Sequence, residues 1–295
     1  MKLSRCIVFM CLVLVIPGCA TIGGMKSVQK IAINVAEPSL EDIMTGVLAS
    51  DDIVNAESLC MTLLPLLDNL VTFSPHNKRL LAVAGQAYML YSFGFVEDVD
   101  PARAIRLYAK SRDYGIRSLR ENKDFRKALD AGKDYPEAVK SLNKEDMDAI
   151  FYTGMGWTLW TMLSAKGGDI GTMTDLPKVR ALMDRAIQLD EGFWHGGPYL
   201  FYGAYNGAMG VMLGGGAEPA KASFDKAFAI SDKFLPTHLF YAQYYATLIG
   251  DEALFDKELQ YIFDTPADIL PDMSLAAYAV KKKAKILLEK KGNWF

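Results

Sequence analysis

Apolar residues recur every three to four positions through most of the chain, the period of helices that bury one face. The pattern predicts a helix from about residue 51 to Phe73, with Leu59, Leu63, Leu66, Leu67 and Leu70 on one side and a kink at Pro65. A second runs from Asn77 to Phe95 behind a stripe of Leu81, Ala84, Tyr88 and Tyr91. Asp100-Pro101 opens a third, with Asp as cap and Pro at the first helical position, and it continues to about Asn122. Residues 123–142 are more polar and read as short helices or an insertion. Asn143 restarts the pattern, which passes through Ile150, Met155, Trp157 and Leu163 to a stop at Gly167-Gly168. Further helices end near Asp190, run from Pro198 to about Leu213, start at Glu218-Pro219, and run from Pro236 to Gly250. Glu252 to Phe263 follows, then a last amphipathic helix carrying Lys281-Lys282-Lys283 and Lys290-Lys291 near its end, where cations oppose the helix dipole favourably. Val and Ile do not alternate with polar residues, so no strand is expected.

Within this pattern the chain repeats itself. Val179, Met183, Arg185 and Ala186 match Ala220, Phe224, Lys226 and Ala227 in type and spacing, and Ala104, Tyr108, Lys110 and Ser111 form a third copy. The segments behind the first two also match, Leu200-Phe201-Tyr202-Gly203-Ala204-Tyr205 beside Leu239-Phe240-Tyr241-Ala242-Gln243-Tyr244. One antiparallel helix pair cannot bury its own apolar face, so repeated pairs stack. The expected fold is all-α, an α-solenoid of stacked antiparallel pairs over residues 39–295.

The N-terminus is of another kind. Lys2 and Arg5 precede the apolar run Ile7 to Ile16, which Pro17-Gly18-Cys19 ends. About ten apolar residues are too few to span a bilayer as a helix, and the layout is that of an export signal. Val15-Ile16-Pro17-Gly18-Cys19 resembles a bacterial lipobox, with Pro17 an unusual residue at its position. Residues 1–18 are then the signal, Cys19 the lipidated first residue, and 19–38 a tether. Ala20 after the cysteine, in place of Asp, makes the outer membrane the default destination. Of the remaining thiols only Cys60 stays in the mature chain, and its apolar setting reads as core.

Net charge is −3, which argues against a nucleic-acid surface. His76, His195 and His238 stand far apart, outside any metal-ligand spacing, and read as solvated or capping residues. Gly214-Gly215-Gly216 lacks the Lys-Ser/Thr of a phosphate loop, and Gly154-Met155-Gly156 reads as close helix approach. No catalytic constellation or cofactor is indicated. The aromatics are the suggestive feature. Trp157 and Trp160 share one helical face, and Tyr199, Tyr202 and Asn206 share another, with Tyr205 turned partly aside. Two readings stand: these residues fill the core between layers, or they line an apolar groove with polar tips.

The residues also resemble a known family, the T component (a lipoprotein of tetratricopeptide-like repeats) of tripartite ATP-independent periplasmic, or TRAP, transporters. The resemblance covers about Leu40 to the C-terminus. It rests on Tyr91-Ser92-Phe93-Gly94-Phe95-Val96-Glu97-Asp98, on Arg112-Asp113-Tyr114, on Arg185-Ala186-Ile187-Gln188-Leu189-Asp190 and on Phe240-Tyr241-Ala242-Gln243-Tyr244-Tyr245-Ala246. It implies a non-enzymatic, periplasm-facing lipoprotein that works beside the solute-binding subunit (the P component), assists uptake of a small organic acid or apolar ligand, and assembles as a trimer. The residues alone also suit a tetratricopeptide-like lipoprotein docking barrel or secretin machinery at the outer membrane.

Overall fold

A computed structural model describes residues 40, 42–210 and 214–295. The signal, Cys19, the tether and the expected helix end at Leu213 lie outside them. Glu37–Phe295 form one compact unit, and among the described residues every regular element is helical.

The helices are α1 (42–48), α2 (Ile53–Phe73), α3 (Lys78–Tyr91), α4 (Pro101–Arg120), α5 (Lys123–Asp130) and α6 (Tyr135–Val139). They continue as α7 (Met147–Lys166), α8 (Leu176–Asp190), α9 (Phe193–Ala208), α10 (Ala217–Ile230) and α11 (Leu235–Phe240). The last two are α12 (Glu252–Asp264) and α13 (Ser274–Glu289). Side-chain caps start many of them: Asp52, Asn77, Asp100, Asn122 and Asp251 each accept a backbone N–H of the first turn. Gly250, at φ 68°, closes the helical run after α11 in the left-handed conformation glycine tolerates best.

The three matched passages sit in α4, α8 and α10, and their inward positions coincide. Ala104, Tyr108 and Ser111, then Val179, Met183 and Ala186, then Ala220, Phe224 and Ala227 are all 0 % exposed. Glycines let the layers approach. A methyl on Gly154 would meet the Met183 side chain at 2.6 Å, and one on Gly156 would meet Ser111 Oγ at 2.4 Å.

Several expectations are corrected. In α2 the buried stripe is Ala56, Cys60, Leu63, Leu64, Leu67 and Val71, whereas Leu59 and Leu66 are 43 % and 46 % exposed. The leucines on two faces of one helix cannot all be inward, and the small Ala56 and Cys60 mark the close approach. Burial pushes the Cys60 thiol up to about 11, helped by Glu57, so it is an inert core residue. The helix expected to continue to Phe95 shifts its hydrogen-bond spacing from four residues to five at Ser92, where a π-helical turn, Ser92–Val96, takes over. A second π-helical turn, Tyr241–Ala246, follows α11. Phe93 and Phe240, one at each π segment, meet edge to face at 6.0 Å. His238 is buried, with Nδ1 2.6 Å from Glu258 Oε2 and Nε2–H donating to the Asp232 carbonyl at 2.8 Å. It is neither solvated nor a cap. His195 and Trp194 adopt left-handed backbone at φ 57° and 49°, so regular helix resumes only at Gly197-Pro198.

Lys283 is the last correction. Read from the sequence it opposes the helix dipole, yet it is buried, 8 % exposed, in the body of α13. Its ammonium contacts Glu97 Oε1 and lies 2.8 Å from Asp98 Oδ2 and 4.3 Å from the Phe93 ring centre. The Tyr108 hydroxyl donates to the other Glu97 oxygen at 2.5 Å. The C-terminal helix is thereby joined to the π turn after α3, across 185 residues of sequence.

Candidate functional site

The exposed side of α8 forms one wall of a cavity of about 490 Å³, within the range of small-ligand sites. Pro177 at the first turn pre-sets that helix. Its inward face, Leu176, Val179, Leu182, Met183 and Ala186, is spent on the core, which leaves Arg180, Ala181, Asp184 and Gln188 facing the cavity. Pro136 and Val139 of α6 lie across it, and Met173, Tyr205 and Met209 complete an apolar lining.

The polar groups there are ordered by neighbours. Arg185 donates Nε–H and an Nη2–H to the Leu142 carbonyl, at 3.0 and 2.6 Å, and is thereby committed to structure. Asp184 accepts the Tyr202 hydroxyl, which also donates to the Arg180 carbonyl at 3.3 Å. Burial, then the bond to Asp184, raises the Tyr202 phenol well above its ordinary value, so it remains a donor. The exposed Arg180 guanidinium lies 5.7 Å from the Tyr205 ring centre. Lys140, at the rim, pairs with Glu137 on the surface. A half-open cleft of mixed lining, with a guanidinium over an aromatic ring, suits an anion with an apolar body.

The five residues read either as core or as the lining of a groove, Trp157, Trp160, Tyr199, Tyr202 and Asn206, fall in separate places. Trp157 is 4 % exposed; its indole N–H donates to Asp175 at 3.2 Å, and the Tyr135 ring meets it edge-on at 6.0 Å. Trp160 is half-buried under the Arg112 guanidinium, 4.0 Å from the ring centre. Tyr199 donates to Glu191 at 2.8 Å with Lys226 over its ring, and Asn206 donates to the Pro219 carbonyl at 3.2 Å. The tryptophans of α7 therefore pack toward α4 and the turn before α8, whereas Tyr199 and Tyr202 reach the far end and outer side of α8. None of the five lines the cavity; Tyr202 touches it through Asp184.

Nothing in the sequence singles out Arg180 or Asp184, because an Arg, Asp, Gln stripe at i, i+4 and i+8 is the usual mark of a solvated helix face. Both π turns fall inside stretches that resemble the T-component family, around Phe93 and Tyr244. Such turns insert one extra residue and are enriched at functional places. Among the described residues no cluster of His, Cys, Asp and Glu could hold a metal ion.

No curated protein matches the sequence. A family model described as the TRAP transporter T-component matches residues 49–295, which takes in every helix from α2 to α13 and both π turns. That span is most of the chain, and the protein belongs to the TRAP transporter T-component family.

Proposed function

We propose that the protein is a lipid-anchored, periplasm-facing scaffold that binds the solute-binding subunit of a TRAP transporter and shelters its ligand, an organic anion with an apolar body. Family membership over residues 49–295 ties the chain to a transporter of the cell envelope. In this reading the helices form a tetratricopeptide-like stack of antiparallel pairs, Cys19 carries the lipid at the outer membrane, and protomers associate as trimers. The coincident burial of the three repeat copies supports the stacked arrangement.

The observation that carries the ligand reading is the apolar cavity under Arg180. Arg180 supplies charge, Tyr205 and the methionines supply an adaptable apolar wall, and Tyr202 is a positioning residue whose hydroxyl donates to Asp184 on the cavity wall. Calorimetric titration of the protein with octanoate, alone and in the presence of its co-expressed solute-binding subunit, tests both parts. Arg180→Met is expected to weaken octanoate binding about tenfold or more while leaving the melting temperature and subunit binding intact, the effect of losing one charge-assisted contact. Equal affinity of the variant and the parent protein refutes the assigned site. Failure to bind any TRAP solute-binding subunit refutes the docking role.

A further inference from the structure

We propose that the ligand of the Arg180 cavity is a 2-hydroxy acid with an apolar tail. Its carboxylate meets Arg180, the hydroxyl on the adjoining carbon donates to Asp184, and the tail lies on the apolar wall. The proposal rests on the ligand reading above and names the head group of that ligand. Among the described lining residues, Lys140, Arg180 and Arg185 are cations and Asp184 is the one carboxylate. That balance selects a ligand of net negative charge. A plain carboxylate, however, meets a like charge there, because Asp184 stands one helical turn from Arg180 on the same face of α8.

The fold does not use up Asp184. Its Oδ1 accepts the Tyr202 hydroxyl, and a carboxylate offers about four acceptor positions in all. Arg185, the next residue, is committed elsewhere. Its Nε and Nη2 hydrogens go to the Leu142 carbonyl, and an Nη1 hydrogen goes to Gln188 Oε1 at 3.0 Å. Lys140 is paired with Glu137. Asp184 is exposed and lines the cavity, so its remaining acceptor positions call for a hydrogen-bond donor on the ligand. A hydroxyl supplies that donor and keeps the ligand anionic. An ammonium would also satisfy Asp184, but it cancels the ligand's charge and stands among three cations.

The spacing of the two heads places the hydroxyl next to the carboxylate. Tyr202 donates to Asp184 and interacts with the Arg180 guanidinium as well, so a single hydroxyl oxygen reaches both. Neighbours four apart on a helix are roughly 6 Å from each other. A carboxylate and a hydroxyl on adjoining carbons, each about 2.8 Å from its partner, bridge such a gap; a hydroxyl far along the tail leaves one head empty. Behind that head group, Val139, Met173, Tyr205 and Met209 offer the tail an apolar bed that adapts to its shape.

The test titrates the full chain calorimetrically with octanoate, 2-hydroxyoctanoate, 2-methoxyoctanoate and 2-aminooctanoate. The hydroxy acid is expected to bind about tenfold tighter than octanoate, the gain of one hydrogen bond to a charged acceptor. The methoxy acid keeps the oxygen and lacks the proton, so it is expected to bind no tighter than octanoate. Asp184→Ala is expected to bring the ratio of the hydroxy acid to octanoate down to about one, and Asp184→Asn, whose amide oxygen still accepts, to an intermediate value. Equal affinity of the parent protein for octanoate and the hydroxy acid overturns the proposal while the cavity reading stands. Tightest binding of the amino acid also overturns it, in favour of a zwitterionic head. A ratio that survives Asp184→Ala overturns it by removing Asp184 from its role. Failure of all four probes to bind refutes the cavity reading itself, and the head group with it.

Discussion

Replacing Lys283 by Met removes one charge from a nearly dry place and leaves two behind. The ammonium sits between Glu97 and Asp98 with the Phe93 ring 4.3 Å from it. Breaking a buried ion pair from one side costs about 3–5 kcal/mol, chiefly because the remaining charge stays desolvated. Here the carboxylates are 20 % and 24 % exposed, and the Tyr108 hydroxyl still donates to Glu97. Burial, then Glu97 itself, holds that phenol well above its ordinary value, so it remains a protonated donor. Partial hydration and that bond place the loss at the low end, about 3 kcal/mol. Urea unfolding followed by circular dichroism reads it as a midpoint lowered by about 1 M at unchanged slope, for a slope of about 3 kcal/mol/M. Glu97→Gln with Asp98→Asn removes the stranded charges, so the triple variant is expected to regain about half the loss. Because Lys283 lies 185 residues from Asp98, the single variant should also raise hydrogen exchange at both the π turn and α13. A loss under about 1 kcal/mol, the range of a surface pair, refutes the view that this cluster ties α13 to the turn after α3.

The remaining predictions use other contacts. Gly115→Ala puts a methyl 1.9 Å from Thr153 Oγ1 and 2.8 Å from its Cβ; a β-branched neighbour cannot yield, so thermal unfolding should show a loss of about 3 kcal/mol. Gly154→Ala meets only the flexible end of Met183 at 2.6 Å and should cost about 1 kcal/mol, so equal costs would refute the distinction. Burial alone would raise the Asp68 carboxyl, but the donors Lys110, Tyr114 and Tyr88 outweigh it and hold its pKa below the usual value of 3.8. A folded-state value below the unfolded one means stability present above about pH 4 and lost as the pH falls through the folded value; Asp68→Asn should therefore flatten the acid limb of a stability-versus-pH curve. Glu258→Leu leaves the His238 Nδ1 without a partner in a buried setting and should cost about 3 kcal/mol by denaturant titration, whereas Glu258→Gln, which can still hydrogen-bond that nitrogen, should cost about 1 kcal/mol.

How much of this was legible depended on whether the deciding neighbour was near in sequence. The repeat phase was local. Small and large residues at fixed offsets in α4, α8 and α10 foretold which positions reach 0 % exposure, and Gly154 and Gly156 foretold where helices approach. The α2 face was misjudged because a helix with leucines all round has no single period, so only the partner's shape decides that Leu63 and Leu67 turn in while Leu59 and Leu66 turn out. Lys283 and His238 were misread for a related reason. A Lys near a helix C-terminus and a His near a helix start each have a sufficient local explanation, and the carboxylates that draw them inward are remote, at Glu97, Asp98 and Glu258.

The π turns show the limit most plainly. A π turn adds one residue without disturbing composition, so Ser92-Phe93-Gly94-Phe95-Val96 reads as continued α-helix. The added residue rotates everything after it by about 100°. In α3 that rotation carries the chain past Phe93 to Glu97 and Asp98, the two groups that receive Lys283. After α11 the second π turn begins directly behind Phe240, whose ring meets Phe93. A regular helix at either place would aim these side chains about a quarter-turn away. The geometry that joins α13 to the turn after α3 therefore involves two irregular turns, both inside segments that resemble the family and both matched by its model. Removing the extra residue, by deleting Gly94, should accordingly loosen the Lys283 contacts more than any single side-chain change at the turn. Near-parent stability of that deletion would mean the π turn is incidental to the closure.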